Sequence, residues 1–435
     1  MLAGTAKVDI TPANEVWMDG MIRSHRSVGI HDPLLARALV LGPDDDRSRA
    51  FGVVSADLCG LTDSDAQAVR EAAASTTGIP VDHMMIATTH THSGPAAVGY
   101  LNPPEPGYVR GLLPELVDVL KRAADDSRPA AAGFASGREE TISHYRRLLA
   151  DDGHVVMNWE LYPSEHILRP LGEIDPEAGV LRIVDPDSPS ETICILFNHA
   201  GHPNVMSGEN YLISADYPGV AARLVEEEFG GTAIFVNGAQ GTMDIDGLRD
   251  RNWDGVRRCG EALAKAVAEA ARAIVPVRAA AVRVAHADYT LPRRKITECE
   301  WAWARDVLKQ TGGAVQPMAD GVGDDFLAIH YQRIRQAEGM DFPVTQICFA
   351  VDDAAFISFP GELFTEIGMR IKRESPFRQT CVLGLANGSL GYVPTREAIS
   401  QGGYEIGARQ LDDAAEELVV ERSLALLRQV REFGS

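Results

Sequence analysis

The chain has 435 residues, 45% of them hydrophobic and 24% charged, with 40 glycines and 24 prolines. That balance belongs to a folded globular protein and excludes collagen-like, coiled-coil and disordered chains. Lys and Arg number 41 against 62 Asp and Glu, a net charge of −21, which repels phosphate backbones and excludes nucleic acid as an expected partner. A chain of this length buries a sizeable core without disulfides or metals as props. No run of 18 mainly apolar residues occurs, and the uncharged stretch 83–104 is broken by Thr, His, Gly and Pro, so no bilayer-spanning helix is expected. The opening MLAGTAKVDITP has no basic segment followed by an apolar one. The expectation is therefore a cytoplasmic chain without stable membrane anchoring. Six cysteines are scattered with no CxxC pair, which excludes a zinc knuckle and a thioredoxin-like motif. Cys194 and Cys348 lie inside apolar runs and read as small core residues.

In chain order, 51–57 (FGVVSAD) reads as a buried strand and 63–77 as the helix after it. A strand at 84–89 leads into a long Gly- and Pro-rich loop that ends near Gly107, before a helix at 109–126. Strands follow at 179–184 and 192–197. The segment 218–229 reads as a helix, with Pro218 in its first turn and Asp216 placed to cap it. Then come a strand at 233–236, a helix with an Ala-rich face at 253–274, and one long strand at 277–291. Helices at 298–310 and 325–338 are expected to pack as a pair. The region 345–359 is strand-rich, 363–373 is a helix, 381–385 a strand, and 408–432 the closing helix. Strands alternating with helices predict an α/β fold, a single large domain spanning 1–435 with a mixed sheet flanked by helices.

The polar residues are informative by position. MMIATT ends in His90-Thr91-His92-Ser93-Gly94-Pro95, and ICILF ends in Asn198-His199-Ala200-Gly201-His202-Pro203. AIFV ends in Asn237-Gly238-Ala239-Gln240-Gly241, and AAFISF in Pro360-Gly361-Glu362. CVLGLA ends in Asn387-Gly388, with Tyr392 just beyond. In open α/β sheets, ligands bind outside the carboxyl ends of strands, so these five ends are candidates for one shared cleft. His90 and His92 can chelate together or play two roles, and histidines with a distant Glu match a catalytic zinc site. Each residue also has an ordinary reading. The two histidines can be hydrogen-bonded loop residues, His202 a structural histidine, Glu362 a first-turn carboxylate favoured by the helix dipole, and Asp244 and Asp246 a solvated loop.

The segment from His90 to Pro95 resembles the THTHSGP motif of the neutral, alkaline non-lysosomal ceramidase family. Val8-Asp9-Ile10-Thr11-Pro12 looks like the family's N-terminal strand. Gly29-Ile30-His31-Asp32-Pro33 followed by Ala36-Arg37-Ala38 resembles its GIH…ARA stretch. His202 with Met206, then Ile213-Ser214-Ala215-Asp216-Tyr217-Pro218-Gly219, resembles HGTSM…ISSDNKG. Phe359-Pro360-Gly361-Glu362 matches FPGE, and Tyr392 with Tyr404 resembles a two-tyrosine segment. The resemblance implies a single zinc ion held by His90, His202, Glu362 and Tyr392. It makes His92 a neighbour that hydrogen-bonds substrate or water, and Tyr404 a stabiliser of the developing oxyanion. An arginine is implied beside the metal, and within His144-Tyr145-Arg146-Arg147 the choice falls on Arg146, with Arg147 as the alternative. The sequence also departs from the family. Where the family carries Gly-Asp-x-Ser-Pro with an essential serine, this chain reads Gly241-Thr242-Met243-Asp244-Ile245, with Asp244 at the serine position. The expectation is a catalytic domain alone, without the family's carboxy-terminal immunoglobulin-like domain or a signal peptide.

Together these readings lead to the expectation of a zinc-dependent, amidohydrolase-like enzyme. A metal-activated water would attack an amide or ester of a soluble, non-ceramide substrate. Arg146 and Tyr404 would face the oxyanion, and Asp244 would act as general base unless it is a metal ligand or a turn residue. A carbohydrate-active metalloenzyme acting on an oligosaccharide, and a binding protein with a structural ion, are the alternatives on the same scaffold.

Overall fold

The structure is a computed structural model and describes residues 1–246 and 251–432. Among the described residues, the chain builds three larger sheets, each carrying one parallel strand pair. In the first, Phe51–Ala56 runs parallel to Met84–Thr88, while Leu35–Gly42 and Leu2–Asp9 extend the sheet antiparallel. In the second, Thr192–His199 pairs parallel with Thr232–Asn237, and Glu177–Val184 and Ala131–Arg138 add antiparallel edges. In the third, Ala354–Ser358 pairs parallel with Gln379–Leu383, next to Phe342–Val351 and Val282–Leu291. Parallel neighbours need a crossover. Helices Asp63–Thr77, Asp216–Phe229 and Thr365–Glu374 supply it in the three sheets. The mixed α/β architecture read from the sequence is the one observed.

The strands of the parallel pairs are apolar at nearly every position because both faces are covered. Their inward faces share one core, in which the Phe51, Phe349 and Phe356 rings stack at centroid distances of 4.2 and 4.6 Å. Cys194 and Cys348 are fully buried, as expected. Their outward faces take helices: Pro106–Asp125 with Asp63–Thr77 on the first sheet, Trp253–Ala273 on the second, Ala415–Glu432 on the third.

Buried amides tie the carboxyl ends of the sheets together. Asn198 Nδ2 donates to the Val236 and Val382 carbonyls, and Asn237 Nδ2 to those of Thr89 and Gly201. Asn387 Oδ1 accepts the Ile86 N–H at 2.9 Å. Three sheets from distant parts of the chain thus end at one place.

Three elements differ from the sequence reading. The region 277–291 is a strand only at Val282–Leu291, because Val277 turns away to bridge Ala132 in the second sheet. The closing helix, expected over 408–432, starts only at Ala415 and runs to Glu432, and a separate short helix, Tyr404–Ala408, precedes it. Between them Leu411 bridges Arg293, and the Asp412 side chain accepts the Ala414 N–H, which starts a new helix. Asp216 is not the N-cap. It is the first helical residue, with φ of 56°, and its buried carboxylate accepts the Val205 and Tyr217 N–H groups. Helices Glu298–Thr311 and Asp324–Gln336 do pack as a pair around their own small apolar cluster.

Candidate metal centre

His90 follows the strand Met84–Thr88, His202 follows Thr192–His199, and Glu362 follows Ala354–Ser358. Each of the three sheets therefore contributes one side chain. His90 takes a left-handed backbone with φ of 72°, an uncommon conformation for a residue with a Cβ and one that turns its ring off the strand axis. His90 Nε2 lies 3.2 Å from His202 Nε2 and 3.3 Å from His92 Nε2. Glu362 Oε2 lies 3.4 Å from His90 Nε2 and 3.3 Å from His202 Nε2. All four side chains are buried.

The other ring nitrogens fix the tautomers. His90 Nδ1 sits 2.6 Å from the Cys59 carbonyl, and His202 Nδ1 sits 3.1 Å from the Gln240 carbonyl. A carbonyl only accepts, so each Nδ1 carries the proton and each Nε2 turns a lone pair inward. Among the described residues, Glu362 Oε2 has no hydrogen-bond partner. Lone pairs and a carboxylate oxygen crowded to about 3.3 Å without a donor repel one another unless a cation sits between them. The donor set suits a divalent metal that accepts imidazole and carboxylate. His90, His202 and Glu362 fit that requirement, and Cys59, His90 and His92 form an overlapping group.

The electrostatics agree for His92 and His202, whereas His90 is held toward its charged form without a metal and gives up its Nε2 proton to ligate one. Burial and the charge on His90 hold the His92 imidazole well below its usual range, and burial with the nearby Arg146 lowers that of His202. Both stay neutral and able to ligate. Burial works against charge on His90, but Cys59 and Glu362 raise it well above the ordinary value. Burial pushes the Glu362 carboxyl up, yet His90 and His202 hold it well below the usual carboxylate range.

Tyr392 is set opposite Glu362 by a short parallel pairing of Glu362–Leu363 with Tyr392–Val393. Tyr404 packs against it, ring centroids 5.7 Å apart. Arg146 is buried beneath three rings, its guanidinium 5.2 Å from the centroid of Tyr392, 5.6 Å from Tyr404 and 5.5 Å from Trp159. Its Nε donates to Glu405 Oε1 and its Nη2 to the Gly241 carbonyl, both at 2.8 Å. Arg147 points the other way, over Phe364, donating to Glu405 Oε2 and the Gly402 carbonyl. Of the two arginines, the structure therefore brings Arg146 toward the tyrosines.

Asp244 pairs across a two-residue ladder with His144, which sets Oδ2 3.8 Å from Arg146 Nη1. Its Oδ1 accepts the Ile245 N–H. His90, His92, Glu362, Tyr392 and Tyr404 line a cavity of about 80 Å³. His202, Arg146 and Asp244 stand behind that wall, all nearly solvent-free.

Several residues here escaped the sequence reading. Asp19, Gly20 and Cys59 line the cavity, together with Phe326 and His330 from the helix Asp324–Gln336. Gly20 has φ of 88°, and a Cβ on it would lie 2.3 Å from the His92 ring. Glu405 and Trp159 hold Arg146. Glu405 follows Tyr404 in the two-tyrosine segment but was given no role there; the others sit in no spaced motif, and only Cys59 follows a strand whose carboxyl end was predicted.

Fold and site define an α/β protein with a histidine and carboxylate ring at its strand ends, suited to a divalent cation. The family model for neutral/alkaline non-lysosomal ceramidase, N-terminal region, matches residues 1–242. The chain belongs to that family, which makes it a ceramidase-like hydrolase. The match includes His90, His92, Arg146 and His202, and stops before Asp244, Glu362, Tyr392 and Tyr404. Two solved structures share the fold. One, described as a ceramidase complexed with C2, superposes with a TM-score of 0.76 at 21% identity, covering 99% of this chain and 75% of its own. The neutral ceramidase from Pseudomonas aeruginosa gives 0.73 at 22% identity, covering 99% and 74%.

Proposed function

We propose that this chain is a zinc-dependent hydrolase that cleaves an amide or ester bond of a small, water-soluble substrate other than ceramide. The observation that carries the reading is the ring of His90, His202 and Glu362, whose acceptor atoms meet within 3.2–3.4 Å. Zinc held there, with Tyr392 completing the set, supplies Lewis acidity and a nucleophile at neutral pH. Burial raises the Tyr404 phenol to about 12, so it keeps its proton and donates a hydrogen bond to a developing oxyanion. Arg146 adds positive charge from behind the tyrosines, and its ties to Glu405 and Gly241 keep it there without reorganisation. His92 hydrogen-bonds substrate or water, and Asp244 accepts the proton that the nucleophile gives up.

The cavity volume of about 80 Å³ supports a small substrate, since drug-sized ligands occupy roughly 300–1,000 Å³. The lining is mainly apolar, and the second reading, a carbohydrate-active metalloenzyme, is supported by the hydroxyl and carboxyl groups of Tyr100, Ser389 and Asp19 that stand in it. We further propose a cytoplasmic chain without nucleic-acid or membrane partners. The net charge of −21 supports this reading, as does the lack, among the described residues, of a helix long and apolar enough to cross a membrane.

Incubating the zinc-loaded protein with water-soluble N-acyl amides, esters, oligosaccharides and a fluorescent short-chain ceramide tests the proposal. Product analysis is expected to show release of acid from the amides or esters and negligible turnover of ceramide. Robust ceramide hydrolysis, or cleavage of oligosaccharides alone, would overturn it.

A further inference from the structure

Cys59 stands at the edge of the metal ring. Cys194, Cys259, Cys348 and Cys381 are buried in the apolar cores, and Cys299 is exposed. Cys59 alone of the six lines the strand-end cavity, half-buried, beside His90 and His92. The reason lies in the first sheet. Phe51–Ala56 and Met84–Thr88 run parallel, so both end at the same edge. There the His90 N–H donates to the Leu58 carbonyl at 2.8 Å, and Cys59 Sγ comes within 3.6 Å of His90 Nδ1.

One donor atom from each of Cys59, His90 and His92 lies within 4.8 Å of the other two, and the same holds for His90, His202 and Glu362. His90 is common to both sets. The Cys59 backbone carbonyl, 2.6 Å away, keeps a proton on His90 Nδ1, so Nε2 is the one lone pair that His90 can offer. A single lone pair cannot serve two ions, which makes the two sets alternatives. Their chemistry differs as well. Two imidazoles and a carboxylate suit zinc and harder divalent ions, whereas a thiolate draws soft ones. Sulfur and nitrogen donors sit about 2.3 and 2.0 Å from a zinc-sized ion, so closing the thiol set asks for a small rotation of the half-buried Cys59 side chain.

We propose that Cys59, His90 and His92 form a second cation site that overlaps the zinc ring and takes a soft, thiophilic divalent ion such as cadmium in place of zinc. This rests on the ring of His90, His202 and Glu362 being the metal site of the proposed hydrolase. Binding exchanges the Cys59 S–H bond for a sulfur–metal bond, releases the proton to water and withdraws His90 from the ring. A soft ion therefore displaces the catalytic one and does not add to it.

Titrating the metal-free protein with cadmium, followed by ultraviolet absorption, tests the site without any substrate. Cys299→Ser serves as the background, because that thiol is exposed. A thiolate-to-cadmium charge-transfer band is expected to grow to one ion per chain. Cys59→Ala should lose the band and bind cadmium at least about tenfold more weakly, the low end of what even an outer partner of a metal costs, while still taking up zinc. His90→Ala should lose the band too, and Glu362→Gln should keep it. X-ray absorption at the cadmium edge should show a sulfur neighbour wherever Cys59 is intact, a readout that stands even if Cys59→Ala fails to fold. No sulfur at the cadmium, or a band that persists in Cys59→Ala, overturns the proposal. So does cadmium uptake with zinc still fully bound, because sites that share His90 cannot be filled together. A cadmium–sulfur site in a protein that hydrolyses no substrate sinks the hydrolase reading and leaves this site standing. Hydrolysis by a protein whose cadmium has no sulfur neighbour does the reverse.

Discussion

Glu405 bears on both fold and site, and Glu405→Gln separates the two. Its carboxylate is fully buried and accepts Arg146 Nε and Arg147 Nη1, each at 2.8 Å. The substitution keeps the shape but leaves two guanidiniums in the interior with one fewer negative charge. Breaking a buried pair in this way costs about 3–5 kcal/mol. Unfolding entropy of roughly 2.1 cal/mol/K per residue gives a 435-residue chain about 0.9 kcal/mol per kelvin when it unfolds together. The expected drop in Tm is therefore about 3–6 °C by scanning calorimetry. Adding Arg147→Met to that variant removes one of the two stranded cations, while Arg146 still has Asp244 at 3.8 Å. The double variant should recover part of the lost Tm. Metal content should stay unchanged, because Glu405 touches none of the ring. An unchanged Tm in Glu405→Gln, or a double variant less stable than the single one, would refute the view that Glu405 is the counter-charge for both arginines.

Three further outcomes are expected. His202→Ala removes one of three converging donors, so purified protein should hold much less zinc by elemental analysis, and equal zinc in both proteins sinks the ligand assignment. Asp244→Asn should lower kcat by about 10²–10⁴-fold with zinc content unchanged; near-wild-type turnover would leave Asp244 only its turn bond to the Ile245 N–H. Gly20→Ala places a Cβ 2.3 Å from the His92 ring at a φ of 88°, so it should cost about 1–2 kcal/mol in backbone strain and also depress kcat by displacing His92. An alanine variant with unchanged kcat and Tm would show that the close approach is not maintained in solution.

The strands, and the residues that stand at their ends, were legible from local pattern alone. Runs such as FGVVSA and ICILF are apolar at nearly every position because both faces of a parallel pair are covered, and that signal is local. His90, His202 and Glu362 were legible because each stands within a few residues of such a run, and Tyr392 because it lies just beyond another, all of them inside segments that resemble the family's motifs. What the sequence could not decide is which ends meet. His90 and His202 are 112 residues apart, and their contact depends on three sheets sharing the Phe51, Phe349 and Phe356 core and on Asn198 and Asn237 tying the sheet ends together. The choice between Arg146 and Arg147 is of the same kind, since adjacent residues of an extended chain face opposite ways and only the partners, Tyr392 on one side and Phe364 on the other, tell which way is inward. Asp19, Gly20 and His330 carry no motif at all, and Glu405 only adjoins Tyr404 in one. Their roles come from burial beside groups far away in the chain, and burial is a property of the packed whole. Local periodicity also ran too far at 408–432, where tertiary pairing of Leu411 with Arg293 breaks a pattern that reads as one helix. Apolar pattern is written residue by residue, whereas the desolvation and convergence that make a site exist only once distant segments are packed together.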